Sequence, residues 1–282
     1  MYRIVTLVEN TTSAPEYRKK HGLCLLVETE RHRLLFDVGP DGVFLENART
    51  LGIDPAEIDT VVLSHGHCDH VGGLKEFLRV NQRARIYVRA AALEPHFIRV
   101  CGIPISVGME CPTEETVKKR FVFTDSVMQI DEELTVFSDV SGSHPLPSSN
   151  RKLFAKRQGR LCLDDFCHEQ NLLLMSGGES VLICGCSHAG IANIQHRAEE
   201  ILGSQPEVVV GGFHLFNPPT HRYESRELIL QTAEILKKTK SRYYTCHCTG
   251  EKAYREMKPV LGDRLQYLAT GSVLLQSSGR NF

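Results

Sequence analysis

The sequence predicts an α/β fold, and two patterns along the chain carry this prediction. In the last third, three strand-like apolar runs alternate with three helical segments over residues 180–260. In the first third, short apolar and β-branched runs are separated by polar turns. Alternation of strands and helices is typical of a parallel sheet whose faces are covered by helices.

The elements of the first third follow from local patterns. Residues 2–8 form an apolar, β-branched strand, and residues 22–28 and 32–38 are predicted to pair as a hairpin around the polar turn 29–31. A helix at 44–51 stops before Gly52, residues 60–64 form a short buried strand, a helix begins at 73–79, and residues 85–88 form another strand.

The middle of the chain is less regular. Between residues 90 and 164, proline, glycine and charged residues interrupt short strand-like pieces at 120–124 and 133–137. Long irregular stretches inside a domain are usually functional or mobile. We therefore predict a single domain over residues 1–282 that carries an insertion or lid at 90–164.

The last third contains strands at 180–184, 207–210 and 242–245, followed by helices at 191–202, 225–238 and 251–260, and then a strand pair around Gly271. Each of the three strands ends in a loop of small residues with a histidine: GCSHAG, GGFHL and CHCTG. Because sites in α/β sheets form at the carboxyl ends of strands, we expect these loops to converge on one edge.

Composition excludes several classes of partner. The 33 basic and 34 acidic residues leave a net charge of −1, so no overall basic field favours nucleic acid. No apolar run approaches the roughly 20 residues of a membrane span, and the N-terminus lacks the apolar core of a signal peptide. We therefore expect a cytoplasmic protein that contacts no membrane, with its oligomeric state left open.

The 10 cysteines are expected to be mostly free thiols, because a chain of 282 residues does not need disulfides. Several of them lie beside histidines, including Cys68, Cys186, Cys246 and Cys248. That placement favours a metal or redox setting over a disulfide framework.

The densest chemical signal is HGHCDH at residues 65–70, directly after a predicted strand. Neutral imidazole binds zinc, iron, nickel or copper, and a carboxylate adds a hard oxygen ligand. Four donors this close can hold two ions roughly 3.5–4 Å apart, which would activate a bridging hydroxide. Gly66, Gly72 and Gly73 allow the backbone to fold tightly around such ions.

HGHCDH is similar to the HxHxDH signature of the metallo-β-lactamase superfamily, and LLFDVG around Asp37 resembles its first motif. The resemblance covers essentially the whole chain and implies a four-layer αβ/βα sandwich with two divalent ions, zinc before manganese or iron. More narrowly, TLVEN, SHGHCDHVGGL, ICGCSHAGI, VVVGGFHL and CHCTG resemble a subgroup labelled dihydropterin ribofuranosyl-aminobenzene phosphate synthase. The fold hosts hydrolases, oxidoreductases and transferases, so the label alone does not fix the reaction.

The resemblance also implies roles for individual residues. His65 and His67 would bind the first ion, and Asp69 and His70 would bind the second. His247 would complete the ligand set, and Asp37 would support the loop from behind.

The middle of the ligand set departs from the superfamily pattern. Where a bridging aspartate is usual, ICGCSH places Cys186, with His188 two residues later. His188, the Cys186 thiolate, or both would complete the site, and a thiolate would favour zinc or another borderline-soft ion. His168 is an upstream alternative that fits a surface turn equally well. Because the usual bridging aspartate is absent, a site with a single metal ion stays an alternative.

The remaining histidines have weaker context. His214 in GGFHL is a candidate general acid or phosphate donor. His144 could reach the site from the lid, although a structural role is the simpler interpretation. Five others carry no motif and are interpreted as surface or structural: His21, His32, His96, His196 and His221.

Three functions are consistent with these observations. The first is a metal-dependent hydrolase or phosphoryl- or ribosyl-phosphate-acting enzyme, in which a metal-bound hydroxide oriented by Asp69 attacks a pterin or other phosphorylated small molecule and His214 protonates the leaving group. The second is an iron-containing redox or sulfur-handling protein, although the intact HxH argues against it. The third is a non-catalytic protein that binds a metal or small ligand.

Overall fold

The computed structural model of the chain describes residues 1–110 and 114–276. Within those ranges the strands are β1 Arg3–Val8, β2 Cys24–Glu28, β3 Arg33–Phe36, β4 Thr60–Val62, β5 Arg85–Val88, β6 His96–Val100, β7 Ile103–Ser106, β8 Phe121–Phe123, β9 Val127–Gln129, β10 Leu134–Ser138, β11 Leu153–Arg157, β12 Arg160–Leu163, β13 Gln170–Ser176, β14 Glu179–Ile183, β15 Val208–Gly211, β16 Phe216–Asn217, β17 Arg222–Tyr223, β18 Arg242–Thr245, β19 Leu265–Tyr267 and β20 Val273–Leu275. The helices are α1 Val43–Thr50, α2 Cys68–Val71, α3 Leu74–Val80, α4 Glu115–Lys118, α5 Ile191–Leu202, α6 Arg226–Lys237 and α7 Glu251–Leu261.

Two seven-stranded mixed sheets form the centre of the molecule. The first has the order β20-β1-β2-β3-β4-β5-β8 and the second β19-β18-β15-β14-β13-β10-β9. In the first sheet β3, β4, β5 and β8 are parallel to one another. In the second, β14, β15, β18 and β19 are parallel.

The hydrophobic core has three layers because strand side chains alternate between the two faces of a sheet. The layer between the sheets includes Val62 from the first sheet and Val181 and Val210 from the second. The neighbouring Val61 points to the other face and packs with α1 and α3. Residues of the second sheet's outer face pack with α5, α6 and α7. The result is the four-layer αβ/βα sandwich that the sequence predicts.

Capping residues explain where α6 begins and where α5 ends. The Ser225 hydroxyl accepts a hydrogen bond from the Leu228 N–H at 3.2 Å and caps α6. Helix α5 ends at Gly203, whose φ of 70° lies in the left-handed region that glycine adopts without strain. Predicted and observed bounds of α5, α6 and α7 agree within a residue.

One expectation about strands is wrong, and one strand was not anticipated. The final strands do not pair with each other around Gly271, because β19 joins β18 in the second sheet and β20 joins β1 in the first. Residues 170–176, for which the sequence predicts no strand, form β13 between β10 and β14.

The predicted insertion at residues 90–164 contributes to three sheets. Strands β6, β7, β11 and β12 form a separate small sheet of order β12-β11-β6-β7. In contrast, β8 lies at the edge of the first large sheet, and β9 and β10 lie in the second. The segment therefore combines part of the sandwich with one added sheet, and a lid role for that sheet stays a prediction.

The parallel strands determine where the site forms. Strands β14, β15 and β18 are neighbours, so the loops that follow them leave the same edge of the second sheet. The loop after β4 leaves the first sheet, and its His70 lies 3.1 Å from His247 of the loop after β18. In the described ranges, each helix is too short or too polar to traverse a bilayer.

Candidate metal centre

The HGHCDH loop is held tightly behind β4. A side chain at Gly66 would bring its Cβ within 2.5 Å of the Ala92 carbonyl oxygen, so only glycine fits without a shift. The Gly66 N–H donates to the His168 Nδ1 at 3.0 Å. His65 and His67, on either side of Gly66, are buried.

Asp37 orients two of the loop's histidines. Its Oδ2 lies 2.6 Å from the His70 Nδ1, which therefore carries a proton and leaves the lone pair on Nε2. The Ser64 hydroxyl donates to the same oxygen at 2.7 Å and lies 2.8 Å from the His65 Nδ1. Since that hydroxyl donates to Asp37, it accepts from His65, whose Nε2 also keeps its lone pair. Asp37 thus lies behind the loop, and its support of a metal site stays a prediction.

Two asparagines orient the rings of His247 and His188 by hydrogen bonds, as Asp37 orients that of His70. The Asn10 amide donates to the His247 carbonyl at 3.0 Å, so its Oδ1 faces the His247 Nδ1 at 3.1 Å. The Asn150 amide donates to the His188 carbonyl at 2.8 Å, and its Oδ1 faces the His188 Nδ1 at 3.1 Å. In both cases the ring donates through Nδ1 and presents a free Nε2 lone pair.

The first group of candidate ligands consists of His65, Cys186 and His188, whose ligand atoms lie within 4.8 Å of one another. The Nε2 atoms of His65 and His188 are buried without a hydrogen-bond partner. The His67 ring stands 4.6 Å from that of His65 and 5.0 Å from that of His188. Burial lowers the pKa of His65, His67 and His188 well below the usual range, which keeps the rings in the neutral form that binds metals.

The second group consists of Asp69, His70, Cys186 and His247. The Nε2 atoms of His70 and His247 are 3.1 Å apart, and the Cys186 Sγ lies 3.1 Å and 3.4 Å from them. The Asp69 Oδ2 lies 3.6 Å from the His70 Nε2 and 3.3 Å from the His247 Nε2. Ligands of a tetrahedral zinc ion stand roughly 3.3–3.8 Å apart, given bond lengths near 2.0–2.3 Å.

Charge at the second group favours a cation. Burial opposes ionisation of Asp69, but His70 and His21 outweigh it and hold the pKa of Asp69 well below its usual range. Burial also opposes a charged His70, yet the carboxylates of Asp69 and Asp37 raise its pKa to about 9. A divalent ion would take the place of that proton.

Cys186 belongs to both groups. The sequence leaves open whether Cys186, His188 or both complete the site, and the structure brings both to the centre. The thiol occupies the shared position between the groups, where a bridging ligand would stand. Burial raises the pKa of the Cys186 thiol well above its usual range, so its use as a thiolate ligand requires a nearby cation.

His214 and Cys248 lie on the other side of Cys186. Their ligand atoms and the Cys186 Sγ lie within 4.8 Å of one another. His214 is 7% exposed, both of its ring nitrogens lack a partner, and its ring is 4.1 Å from that of His188. Cys248 thus lies at the site, whereas Cys246 packs into the core between the sheets.

His168 joins His67, His96 and Asp164 in a further group whose ligand atoms lie within 4.8 Å of one another, but both of its ring nitrogens have hydrogen-bond partners. Its Nδ1 accepts the Gly66 N–H, so its Nε2 bears the proton and donates to Asp164 at 3.1 Å. His96 also contacts Asp164, at 3.1 Å. Burial acts against ionisation of Asp164, but the hydrogen bonds from His168 and His96 hold its pKa well below the usual range. These three residues hold the HGHCDH loop from behind. His144 lines a separate cleft beside Gly190.

A cavity of about 170 Å³ opens over the two groups and is lined by residues that include His21, Asp69, Cys186, His188 and His214. A wider cleft of about 570 Å³ reaches His188 from the other side and includes Phe166, whose ring stacks on His188 at 4.4 Å. The first cavity thus lies over the candidate metal centre.

Sequence reasoning missed the part that His21 and Asn150 play in the site, because neither residue carries a motif. For Glu9 and Asn10, at the end of the first strand, the sequence left two alternatives open, a place lining the site and a capping or turn role. Glu9 is fully buried and accepts the His247 N–H at 3.1 Å. A buried acid and an asparagine at the end of the first strand are a usable signal, but His21 and Asn150 are distant in sequence from every metal-binding motif.

Known proteins resemble this chain over its length. A family model described as the metallo-beta-lactamase superfamily matches residues 18–147. The chain is 26% identical to 7,8-dihydropterin-6-methyl-4-(beta-D-ribofuranosyl)-aminobenzene-5'-phosphate synthase of Methanocaldococcus jannaschii, over 96% of each chain. An uncharacterized protein of the same organism is 26% identical over 90% of this chain and 93% of its own length.

Solved structures agree with the sequence comparisons. The crystal structure of Tm1679, a metal-dependent hydrolase of the beta-lactamase superfamily, is 28% identical, with a TM-score of 0.83 over 99% of this chain and 100% of that one. Zinc-bound PqqB from Methylobacterium extorquens shares the fold at 14% identity, with a TM-score of 0.58 over 97% and 100% of the two chains. Together with the HxHxDH loop and the four-layer sandwich, these matches show that the chain has the metallo-β-lactamase fold and that residues 18–147 match the model of that superfamily.

Proposed function

We propose that this protein is a metal-dependent hydrolase, or a related phosphoryl- or ribosyl-phosphate-transferring enzyme, that acts on a phosphorylated small molecule with two divalent ions. The pterin compound in the name of the M. jannaschii relative makes a phosphorylated pterin derivative the first substrate class to test. The description of Tm1679 as a metal-dependent hydrolase supports hydrolysis as the first reaction to test.

One observation carries the proposal. The Nε2 atoms of His70 and His247 face each other at 3.1 Å, and hydrogen bonds to Asp37 and Asn10 direct both lone pairs toward the gap. The Asp69 carboxylate faces the same gap. When His70 is neutral these atoms are all acceptors and cannot satisfy one another, so the arrangement fits a cation in place of the His70 proton, and the His65, Cys186 and His188 group fits a second cation.

The residues of the site would have three roles, as metal ligands, as a group that orients the nucleophile and as a proton donor. His65, Cys186 and His188 would hold the first ion together with His67, whose ring lies beside those of His65 and His188. Asp69, His70, Cys186 and His247 would hold the second ion. Bound divalent ions would supply Lewis-acid chemistry and a nucleophilic water at neutral pH. Asp69 would orient the nucleophile, and His214, whose ring nitrogens have no other partner, would donate a proton to the leaving-group oxygen.

The test is turnover of phosphoesters by protein reconstituted with zinc, manganese or iron. Hydrolysis of bis-nitrophenyl phosphate and release of phosphate from ribose-phosphate esters are expected with wild type, and chelation should abolish both until metal is restored. His67→Ala and Asp69→Asn should fall to background. His196→Ala, a change at an exposed position of α5, should retain wild-type rates. Turnover that survives both chelation and the His67 substitution would contradict the proposal.

The two buried thiols at the centre, Cys186 and Cys248, favour iron redox or sulfur chemistry as the second candidate. Elemental analysis of protein purified without oxygen distinguishes the two. Zinc or manganese at about two ions per chain supports hydrolysis, and iron with no phosphoester turnover supports the alternative.

A further inference from the structure

His21 lies at the mouth of the cavity, although its sequence context gives it no motif. Its Nε2 is 3.1 Å from the Asp69 Oδ2, the same oxygen that lies 3.3 Å from the His247 Nε2. The rings of His21 and His247 are stacked, with centroids 4.8 Å apart and planes inclined by 20°. Two nearly parallel imidazoles therefore direct the same nitrogen at one carboxylate oxygen.

A single amide fixes the proton on both rings. Because the Asn10 amide nitrogen donates to the His247 carbonyl, its Oδ1 faces the rings. That oxygen lies 3.1 Å from the His21 Nδ1 and 3.1 Å from the His247 Nδ1, so both nitrogens donate to it. Each neutral ring then presents its Nε2 lone pair to Asp69. His21 thus shares with His247 the orienting hydrogen bond to Asn10 and the contact with Asp69.

The His21 Nε2 and the Asp69 Oδ2 face each other at 3.1 Å. An ionised carboxylate only accepts hydrogen bonds, and the Asn10 Oδ1 takes the proton of the His21 Nδ1, so both facing atoms are acceptors. A cation beside both atoms would satisfy them together.

We infer that His21 is a ligand of the second ion, beside Asp69, His70, Cys186 and His247. The inference rests on the proposed two-ion site and adds to it the donor on the solvent side. The His21 side chain is 39% exposed, whereas that of His247 is fully buried. His21 is thus the ligand that an anionic group entering the cavity meets first, and the one that such a group can displace.

The test is a metal titration of full-length protein stripped with a chelator. Zn²⁺ is titrated against a chromophoric competitor, and Co²⁺ binding is followed by its visible absorption. We expect wild type to bind two ions and His21→Ala to bind the second about tenfold more weakly or worse, with the first unchanged. The second Co²⁺ should also show an altered visible spectrum, because its coordination number falls. His196→Ala, an exposed histidine on α5, is the matched control and should behave as wild type.

The outcomes separate this inference from the proposed function. If wild type binds two ions and His21→Ala binds both with wild-type affinity and spectrum, His21 is no ligand, and the two-ion site stands without it. If wild type itself binds fewer than two ions, the two-ion site fails, and the role of His21 fails with it. Asn10→Ala provides a second variant, since it frees both rings and should weaken the second ion at least as much as His21→Ala.

Discussion

Asp37→Asn tests how the buried carboxylate prepares the metal centre. Asp37 accepts hydrogen bonds from the Ser64 N–H and hydroxyl at 2.7 Å each and from the His70 Nδ1 at 2.6 Å. In this variant the side-chain oxygen at position 37 would still accept the hydrogen bond from the Ser64 N–H. The side-chain NH₂ group would then face the His70 Nδ1 as a donor. His70 would then have to accept at Nδ1 and carry its proton on Nε2, the atom that faces the candidate second ion.

The expected loss follows from that tautomer change. Substitution of a residue that orients a ligand histidine typically costs about 10–100-fold in metal affinity. At 1.36 kcal/mol per decade this is about 1.4–2.7 kcal/mol for the second ion. A smaller loss is expected for the first ion, because Asp37 reaches His65 only through Ser64.

Backbone strain does not complicate the substitution. Asp37 has a φ of 59°, in the left-handed region that asparagine tolerates better than most residues. Asp139→Asn is a matched control, since Asp139 has a φ of 56° and lies half-exposed beside Arg89. Competition with a chromophoric chelator measures both affinities, and circular dichroism checks the fold. Wild-type affinity for the second ion in Asp37→Asn, with the fold intact, would refute the role assigned to Asp37.

Two further predictions concern the shared thiol and the protons of the site. Cys186→Ser should remove the near-ultraviolet thiolate-to-metal band of the Co²⁺-loaded protein. It should also weaken Cd²⁺ binding more than Mn²⁺ binding, because a hydroxyl is a harder ligand than a thiolate. Unchanged spectra would exclude Cys186 from the centre, and Cys162→Ser, at an exposed thiol, is the control. Binding of the second ion should release protons at pH 7 and tighten as the pH rises toward 9, because the pKa of His70 is raised to about 9 and only the neutral ring binds metal. Titration calorimetry in buffers of different ionisation enthalpy measures this release, and a buffer-independent heat would contradict it.

The part of the fold that local patterns determine was predictable. Helices α5, α6 and α7 have strong local signals, such as the Ser225 cap and the Gly203 stop, and their bounds agree with the sequence. Strand β13 was missed because QNLLLMS lies inside the second sheet, where burial on both faces removes alternation. The small sheet was missed for the opposite reason, because β7 and β12 are exposed along their length and also lack alternation.

The pairing of the last strands needed tertiary information. Leu265–Tyr267 and Val273–Leu275 are close in sequence and separated by a glycine turn, which favours a hairpin. Each pairs instead with a strand of a different large sheet. Which edge of which sheet lies open is a property of the whole sandwich, and no local pattern encodes it.

The sequence by itself determined the superfamily resemblance and the residues of the HGHCDH loop, because these donors are adjacent in the chain and their spacing is dictated by metal chemistry. The tertiary structure decided how the later loops complete the centre. It placed Cys186 between the two ligand groups, turned His168 away to Asp164, and brought His21 and two asparagines to the candidate ligands. A ligand histidine almost always donates the N–H of its other ring nitrogen to an orienting partner, and for His70, His188 and His247 that partner lies far away in sequence.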